Sequence, residues 1–296
     1  MMKDEIILKV ENLKQYFVIN KHLTIKAVDD VSFQVRKGEV FGLVGETGSG
    51  KSTVARTIMG IYPPTGGKVF FKGYELTDKK SYQQNKADIQ KNIQYIFQDS
   101  AASLNPRMAV EKIIEEPLKV TKTITDKAKR SERIDELLEQ VGLDKTYRTK
   151  YPGELSGGQR QRVAIARSLS VSPDLIIADE PIASLDISIQ AQIIGLFQEL
   201  QKKYGFTFLF IAHDLAIIRY ITSHVGVMYQ GRLLEVGATE KVFKNPQHNY
   251  TKALLSAVPV PDPVYERSKT IVEFIPGDRE LSGEMTETEE DHFVLK

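Results

Sequence analysis

A chain of 296 residues, 41% hydrophobic and 27% charged with a net charge of +1, has room for one large α/β domain with appendages or for two modest domains. The balanced charge gives no electrostatic case for nucleic acid as the main partner. The absence of cysteine excludes disulfides, thiolate metal sites and cysteine-bound iron–sulfur clusters.

Met1-Met2-Lys3-Asp4-Glu5 runs into a strand-like stretch without a signal-peptide core. Ile6–Phe17 and Ala27–Val35 read as strands with no helix between them, which predicts an antiparallel edge sheet. From Val40–Val44 onward, buried-strand runs alternate with helical patterns. The buried runs are Val40–Val44, Asn92–Phe97, Leu175–Ala178, Thr207–Ile211 and Val225–Tyr229, and the turn Tyr62–Gly67 leads into a further strand, Lys68–Lys72. The helices include Ser52–Ile61, Arg160–Leu169, Ile189–Lys203 and Leu215–Thr222. Such alternation predicts a mainly parallel sheet covered on both faces.

Residues 100–155 show no strand pattern; Glu111–Leu118 and Lys127–Val141 carry helical spacing, which predicts a helical subdomain inserted into the core. The basic stretch Lys119–Arg133 reads as a solvated helix face. Past Gly237 the chain is turn-rich, and residues 278–296 hold seven acidic and two basic side chains, predicting a mobile, solvating tail. The expected division is 5–237 for the main domain and 238–296 for an extension. There is no internal repeat. No apolar run approaches the ~20 residues that cross a bilayer, so a soluble cytoplasmic chain is expected and any transport role must be peripheral.

Gly45-Glu46-Thr47-Gly48-Ser49-Gly50-Lys51-Ser52-Thr53 fits the phosphate-loop pattern G-x-x-x-x-G-K-[ST] between a strand and a helix. Its glycines let backbone N–H groups wrap phosphates at a helix N-terminus. Lys51 is placed to reach the β- and γ-phosphates of a nucleotide, and the Ser52 hydroxyl to bind Mg²⁺. Kinases, GTPases and motors share this loop, so it fixes binding and not use. Leu175–Ala178 ends in Asp179 and Glu180 at the strand's C-terminal edge, where α/β sheets place ligands. Asp179 suits a Mg²⁺ ligand, and Glu180 suits the base that orients or deprotonates water. Ser156-Gly157-Gly158-Gln159 caps a helix with apolar Val163, Ala164 and Leu169 and bares amides as a second anion site.

This last stretch, lying between the phosphate loop and Asp179-Glu180, resembles the signature motif of ABC ATPases. The resemblance implies a P-loop, RecA-like α/β core with an antiparallel N-terminal β-subdomain and an inserted helical subdomain. It also implies a head-to-tail dimer in which Ser156 and Gly158 contact ATP held by the partner. Gln98 resembles the Q-loop glutamine, which senses Mg²⁺ and the attacking water. Pro181–Asp186 resembles the D-loop that crosses the dimer interface, and His213 resembles the switch histidine at the γ-phosphate. Either Phe17 or Tyr16 would stack on adenine, with spacing from Leu13 favouring Phe17. Thr47 stands where serine is usual and keeps the hydroxyl.

Two more stretches are similar to the oligopeptide and dipeptide importer branch: Gln98–Met108, after the Q-loop, and Phe243–Pro259. The resemblance covers the chain to about residue 265 and is closer to the second of that branch's two ATPases. It implies ATP hydrolysis driving oligopeptide import at the cytoplasmic face of the membrane. The implied partners are two membrane permease subunits, a second and non-identical ABC ATPase, and an extracytoplasmic peptide-binding protein. Dipeptide, nickel or other small-solute import in the same branch is the alternative, with a non-transport ABC ATPase acting on ribosomes or DNA behind it.

Overall fold

The computed structural model describes residues 5–259, 269–275, 277 and 281–296. The chain divides into two compact units: Asp78–Leu209 with Arg36–Gly38 in the first, and Ile6–Val35, Glu39–Thr77 and Phe210–Lys296 in the second.

The second unit starts with β1 (Ile6–Asn20) and β2 (Leu23–Arg36), followed by β3 (Val40–Val44), α1 (Lys51–Ile58), β4 (Gly66–Phe71) and β5 (Tyr74–Glu75). Strands β2-β1-β4-β5 form the antiparallel sheet expected at the N-terminal edge. Its inward side chains, among them Leu8, Val10, Leu13, Val69 and Phe71, are buried.

The first unit follows with α2 (Lys79–Asn92), β6 (Ile93–Ile96), α3 (Ser100–Ser103), α4 (Val110–Val120), α5 (Lys127–Gln140), α6 (Gly157–Leu169), β7 (Leu175–Asp179) and α7 (Ile187–Tyr204). Strands β6 and β7 pair in parallel, Ile93 opposite Leu175 and Ile96 opposite Ala178. Between Ser100 and Leu155 the described elements are all helical, with two 3₁₀ turns at Lys145–Thr149 and Pro152–Glu154. A buried carboxylate locks this stretch: Glu115 on α4 accepts from Arg130 Nε on α5 at 3.0 Å and pairs with Lys119 at 2.9 Å. Burial alone would lift the Glu115 carboxyl, but the Lys119 and Arg130 hydrogen bonds overcome it and hold the pKa at about 2.

Strand β8 (Thr207–Ala212) carries the chain back into the second unit, which continues with α8 (Leu215–Ile221), β9 (His224–Tyr229), β10 (Arg232–Ala238), α9 (Thr239–Lys244) and α10 (Asn249–Ser256). It ends in a hairpin of β11 (Met285–Glu289) and β12 (His292–Leu295). Strand β9 pairs with β3 in parallel, and β10, β12 and β11 then continue the sheet antiparallel.

The hairpin corrects the expectation of a mobile tail. The acidic side chains of β11 and the turn hid the short run His292-Phe293-Val294-Leu295, whose His292, Val294 and Leu295 are buried. His292 is fully buried and its Nε2 meets Glu235 Oε1 at 2.7 Å. The buried Glu235 carboxylate, set by a bulge between Leu233 and Glu235, also accepts from the N–H groups of Gln247 (2.8 Å) and His248 (2.9 Å). A second histidine, His224, lies between Glu39 (3.1 Å) and Asp291 in the hairpin turn (2.7 Å).

Candidate active site

In the second unit the buried strand β3 delivers the chain into the phosphate loop. Gly45 and Gly50 both take positive φ, and both lie against backbone that leaves no room for a side chain. A Cβ on Gly45 would sit 2.1 Å from the Met228 carbonyl oxygen, and one on Gly50 2.2 Å from that of Ala27. Lys51, only 4% exposed, donates from its ammonium to the carbonyls of Gly45 (2.7 Å) and Glu46 (2.8 Å) and to Ser49 Oγ (3.2 Å). Those oxygens hold the cation where an anionic ligand is expected. Glu46, Thr47 and Gly48 are exposed, while Ser49 is buried and its carbonyl accepts from Gly231 N at 2.9 Å. Ser52 and Thr53 follow, half-buried, in the first turn of α1.

In the first unit β7 ends in Asp179, 1% exposed, which accepts from the Tyr95 hydroxyl at 2.6 Å. The next residue, Glu180, has φ +45°, a left-handed conformation that costs a non-glycine residue on the order of 1–2 kcal/mol. Its carboxylate accepts from the Gln98 side-chain amide at 2.8 Å. Two residues 82 apart in sequence thus meet. The loop after Glu180 is pinned by Gln190 on α7, whose amide donates to the carbonyls of Ile182 (3.2 Å) and Leu185 (3.0 Å). Asp186 is left exposed at the start of that helix.

Ser156 is the N-cap of α6 within a capping box: its Oγ accepts from Gln159 N at 3.3 Å, and the Gln159 side chain accepts from Ser156 N at 2.9 Å. Ser156 is exposed, Gly157 half-buried and Gly158 buried. A Cβ on Gly158 would fall 2.6 Å from Ile189 Cγ2. The second glycine is therefore needed for the approach of α7, a packing role the sequence did not disclose.

His213 follows β8, exposed, directly before Asp214, whose carboxylate caps α8 by accepting from Ala216 N at 2.8 Å. Of the two aromatic candidates, Tyr16 is committed elsewhere. Its hydroxyl donates to Asp29, which lifts its pKa to about 12, and Lys26 lies 5.4 Å over its ring. Phe17 meets Tyr62 edge-on with ring centroids 5.3 Å apart. Sequence reasoning missed Tyr95, Gly231 and Tyr250, whose hydroxyl accepts from Glu46 N at 3.2 Å. Each reaches a motif residue from far along the chain; the only signal was a tyrosine two residues from the end of a buried strand in the first case.

The donors proposed for Mg²⁺ are a hydroxyl, a side-chain amide and a carboxylate, all hard oxygens of the kind the ion prefers. Among the described residues no group of three or more His, Cys, Asp or Glu is set to hold a metal.

A phosphate loop, an acidic strand end carrying a glutamate engaged by a glutamine, and a capped Ser-Gly-Gly-Gln helix start are the parts of an ABC ATPase. The chain belongs to the ABC transporter family, which residues 28–183 match, and residues 234–282 match the oligopeptide/dipeptide transporter C-terminal region. It is 49% identical to the oligopeptide transport ATP-binding protein OppF of Bacillus subtilis (strain 168), over 98% of this chain and 96% of that protein. It is 45% identical to the dipeptide transport ATP-binding protein DppF of Lactococcus lactis subsp. cremoris (strain MG1363), over 98% of this chain and 93% of that one. Among solved structures it is similar to the ATP-binding cassette MJ0796, in a dimeric post-hydrolysis state bound to ADP and Pi. That similarity has a TM-score of 0.70 at 27% identity and covers 79% of this chain and 99% of that one.

Proposed function

We propose that this chain hydrolyses ATP to drive import of oligopeptides through membrane permease subunits held on other chains. The observation that carries the reading is the union, in one chain, of an intact ATPase motif set with the peptide-transporter C-terminal region over residues 234–282. Near full-length similarity to oligopeptide and dipeptide transport ATP-binding proteins supports it. Among the described residues no helix is long and apolar enough to cross a membrane, which fits a peripheral subunit working at the cytoplasmic face.

In this reading Lys51 and the amides of residues 45–53 hold the phosphates, and Phe17, which has no hydroxyl tied to Asp29 as Tyr16 has, stacks on adenine. Ser52, Asp179 and Gln98 would hold Mg²⁺, which when bound supplies charge neutralisation at the phosphates. Glu180 draws a proton from the attacking water while Gln98 keeps its carboxylate in place, and His213 contacts the γ-phosphate. Ser156, Gly157, Gly158 and Gln159, with Asp186, serve the nucleotide of a second, non-identical ATPase in a head-to-tail pair. A groove of about 580 Å³ in the first unit, lined by Arg107, Glu111, Lys112, Glu116, Val120 and Tyr151, offers mixed charge and apolar surface to a permease segment. An extracytoplasmic peptide-binding protein would feed the assembly.

The test is uptake of labelled oligopeptides by cells carrying Lys51→Ala. Loss of uptake, with permease subunits still co-purifying with the variant, is expected. Normal uptake, or loss of nickel or dipeptide entry with oligopeptide entry intact, would reject the oligopeptide assignment.

A further inference from the structure

The phosphate loop is held from outside by a residue of the C-terminal segment. One peptide unit, between Gly45 and Glu46, is gripped at both ends. Its carbonyl accepts from the Lys51 ammonium at 2.7 Å, and its N–H donates to the Tyr250 hydroxyl at 3.2 Å. Carbonyl and N–H of a trans peptide point to opposite sides. Lys51 and Tyr250 therefore oppose any rotation of this plane.

Tyr250 is itself built in. It is 2% exposed and tilts against Tyr229 with ring centroids 4.5 Å apart, while Phe274 meets it edge-on at 5.3 Å. Its backbone is fixed by a separate set of bonds: Tyr250 N donates to His248 Nδ1 at 3.1 Å, and the N–H of His248 is held at 2.9 Å by the buried Glu235 carboxylate. A phenylalanine would fill the same aromatic cluster. The hydroxyl is what reaches the loop.

We propose that Tyr250 is a positioning residue for ATP binding: it keeps the Gly45–Glu46 peptide oriented when Lys51 leaves the loop carbonyls for the phosphates. The C-terminal segment thereby sets nucleotide affinity. This rests on the reading of residues 45–53 as the nucleotide loop. Without the hydroxyl the loop samples other arrangements after losing its lysine, and binding must restore the ordered one. The effect falls on affinity, with the chemical step at saturating ATP left intact.

The decisive variant is Tyr250→Phe, compared with Phe274→Leu, which trims the cluster and keeps the hydroxyl. Tyr250→Phe is expected to raise the Kd for Mg-ATP roughly three- to tenfold, the scale of one lost hydrogen bond, with kcat held within about twofold. Amide hydrogen exchange at Glu46 in the nucleotide-free protein should quicken. Phe274→Leu should lower the unfolding temperature and leave the Kd unchanged. Parental Kd and unaltered Glu46 exchange in Tyr250→Phe would overturn the proposal. So would an equal rise in Kd for Phe274→Leu, which would make packing the cause. Should the parent protein fail to bind ATP at all, the nucleotide-loop reading falls, while exchange at Glu46 still decides whether Tyr250 holds the loop.

Discussion

Glu180 follows a fully buried strand in a conformation that L-residues seldom adopt, and its carboxylate is met by the Gln98 amide at 2.8 Å. The strained backbone turns the side chain off the strand's alternation, and the glutamine fixes one carboxylate oxygen. In its proposed role as base, Glu180 acts on water only as long as it is a carboxylate. Glu180→Gln should therefore slow hydrolysis by about 10²–10⁴ while ATP binding persists, measured as phosphate release against nucleotide titration. Near-parental turnover would remove Glu180 from the chemistry. Its identity was legible in the sequence because Asp179-Glu180 closes an apolar run. The Tyr95 donor to Asp179, 84 residues away, was not, since nothing in local spacing reports a contact made across neighbouring strands.

At the scale of elements, the helices between residues 100 and 155 were readable from their apolar periodicity, but what fastens them was not. The basic stretch Lys119–Arg133 reads as a solvated face, and most of it is. Arg130, though, turns inward to Glu115, and Lys119 joins it. The Glu115 pKa is depressed to about 2 from an ordinary 4.5. A depressed carboxylate contributes stability that is complete above its unfolded-state pKa and disappears as pH falls through its folded-state one. Glu115→Gln should thus be less stable than the parent at neutral pH. The gap should close between about pH 4.5 and 2, followed by thermal unfolding across that range. A gap independent of pH would assign the loss to packing. Helix α2 went unread for a different reason: Lys79–Asn92 is so polar that only Ile89 and Asn92 are buried, leaving no stripe to detect.

For the molecule as a whole, the C-terminal segment is part of the second unit's sheet, where composition alone had suggested a solvated tail. Net acidity outweighed three apolar residues in the reading, and pairing with β10 is a long-range fact. His224 joins the hairpin turn to the sheet, lying between Glu39 and Asp291. The Glu39 carboxylate, which faces the ring as an acceptor, leads in raising its pKa above the ordinary 6.5, with burial opposing and Asp291 adding to the rise. A raised histidine pKa contributes stability that is complete below the unfolded value and lost as pH climbs through the folded one. His224→Gln should accordingly show its largest deficit in unfolding temperature near about pH 5.5 and approach the parent in alkaline buffer. A deficit that grows with pH would show that the charged form is not the stabilising one.

The Glu235 knot has a consequence for the descent of such chains. One carboxylate serves a histidine from the last strand and two amides ahead of α10. Losing His292 first leaves an acid sealed away from water with a donor gone; losing Glu235 first strands an imidazole and two amides together. Neither step is neutral, so the two positions should be inherited or abandoned as a pair. Lineages that have shed the terminal hairpin should carry some other residue at 235.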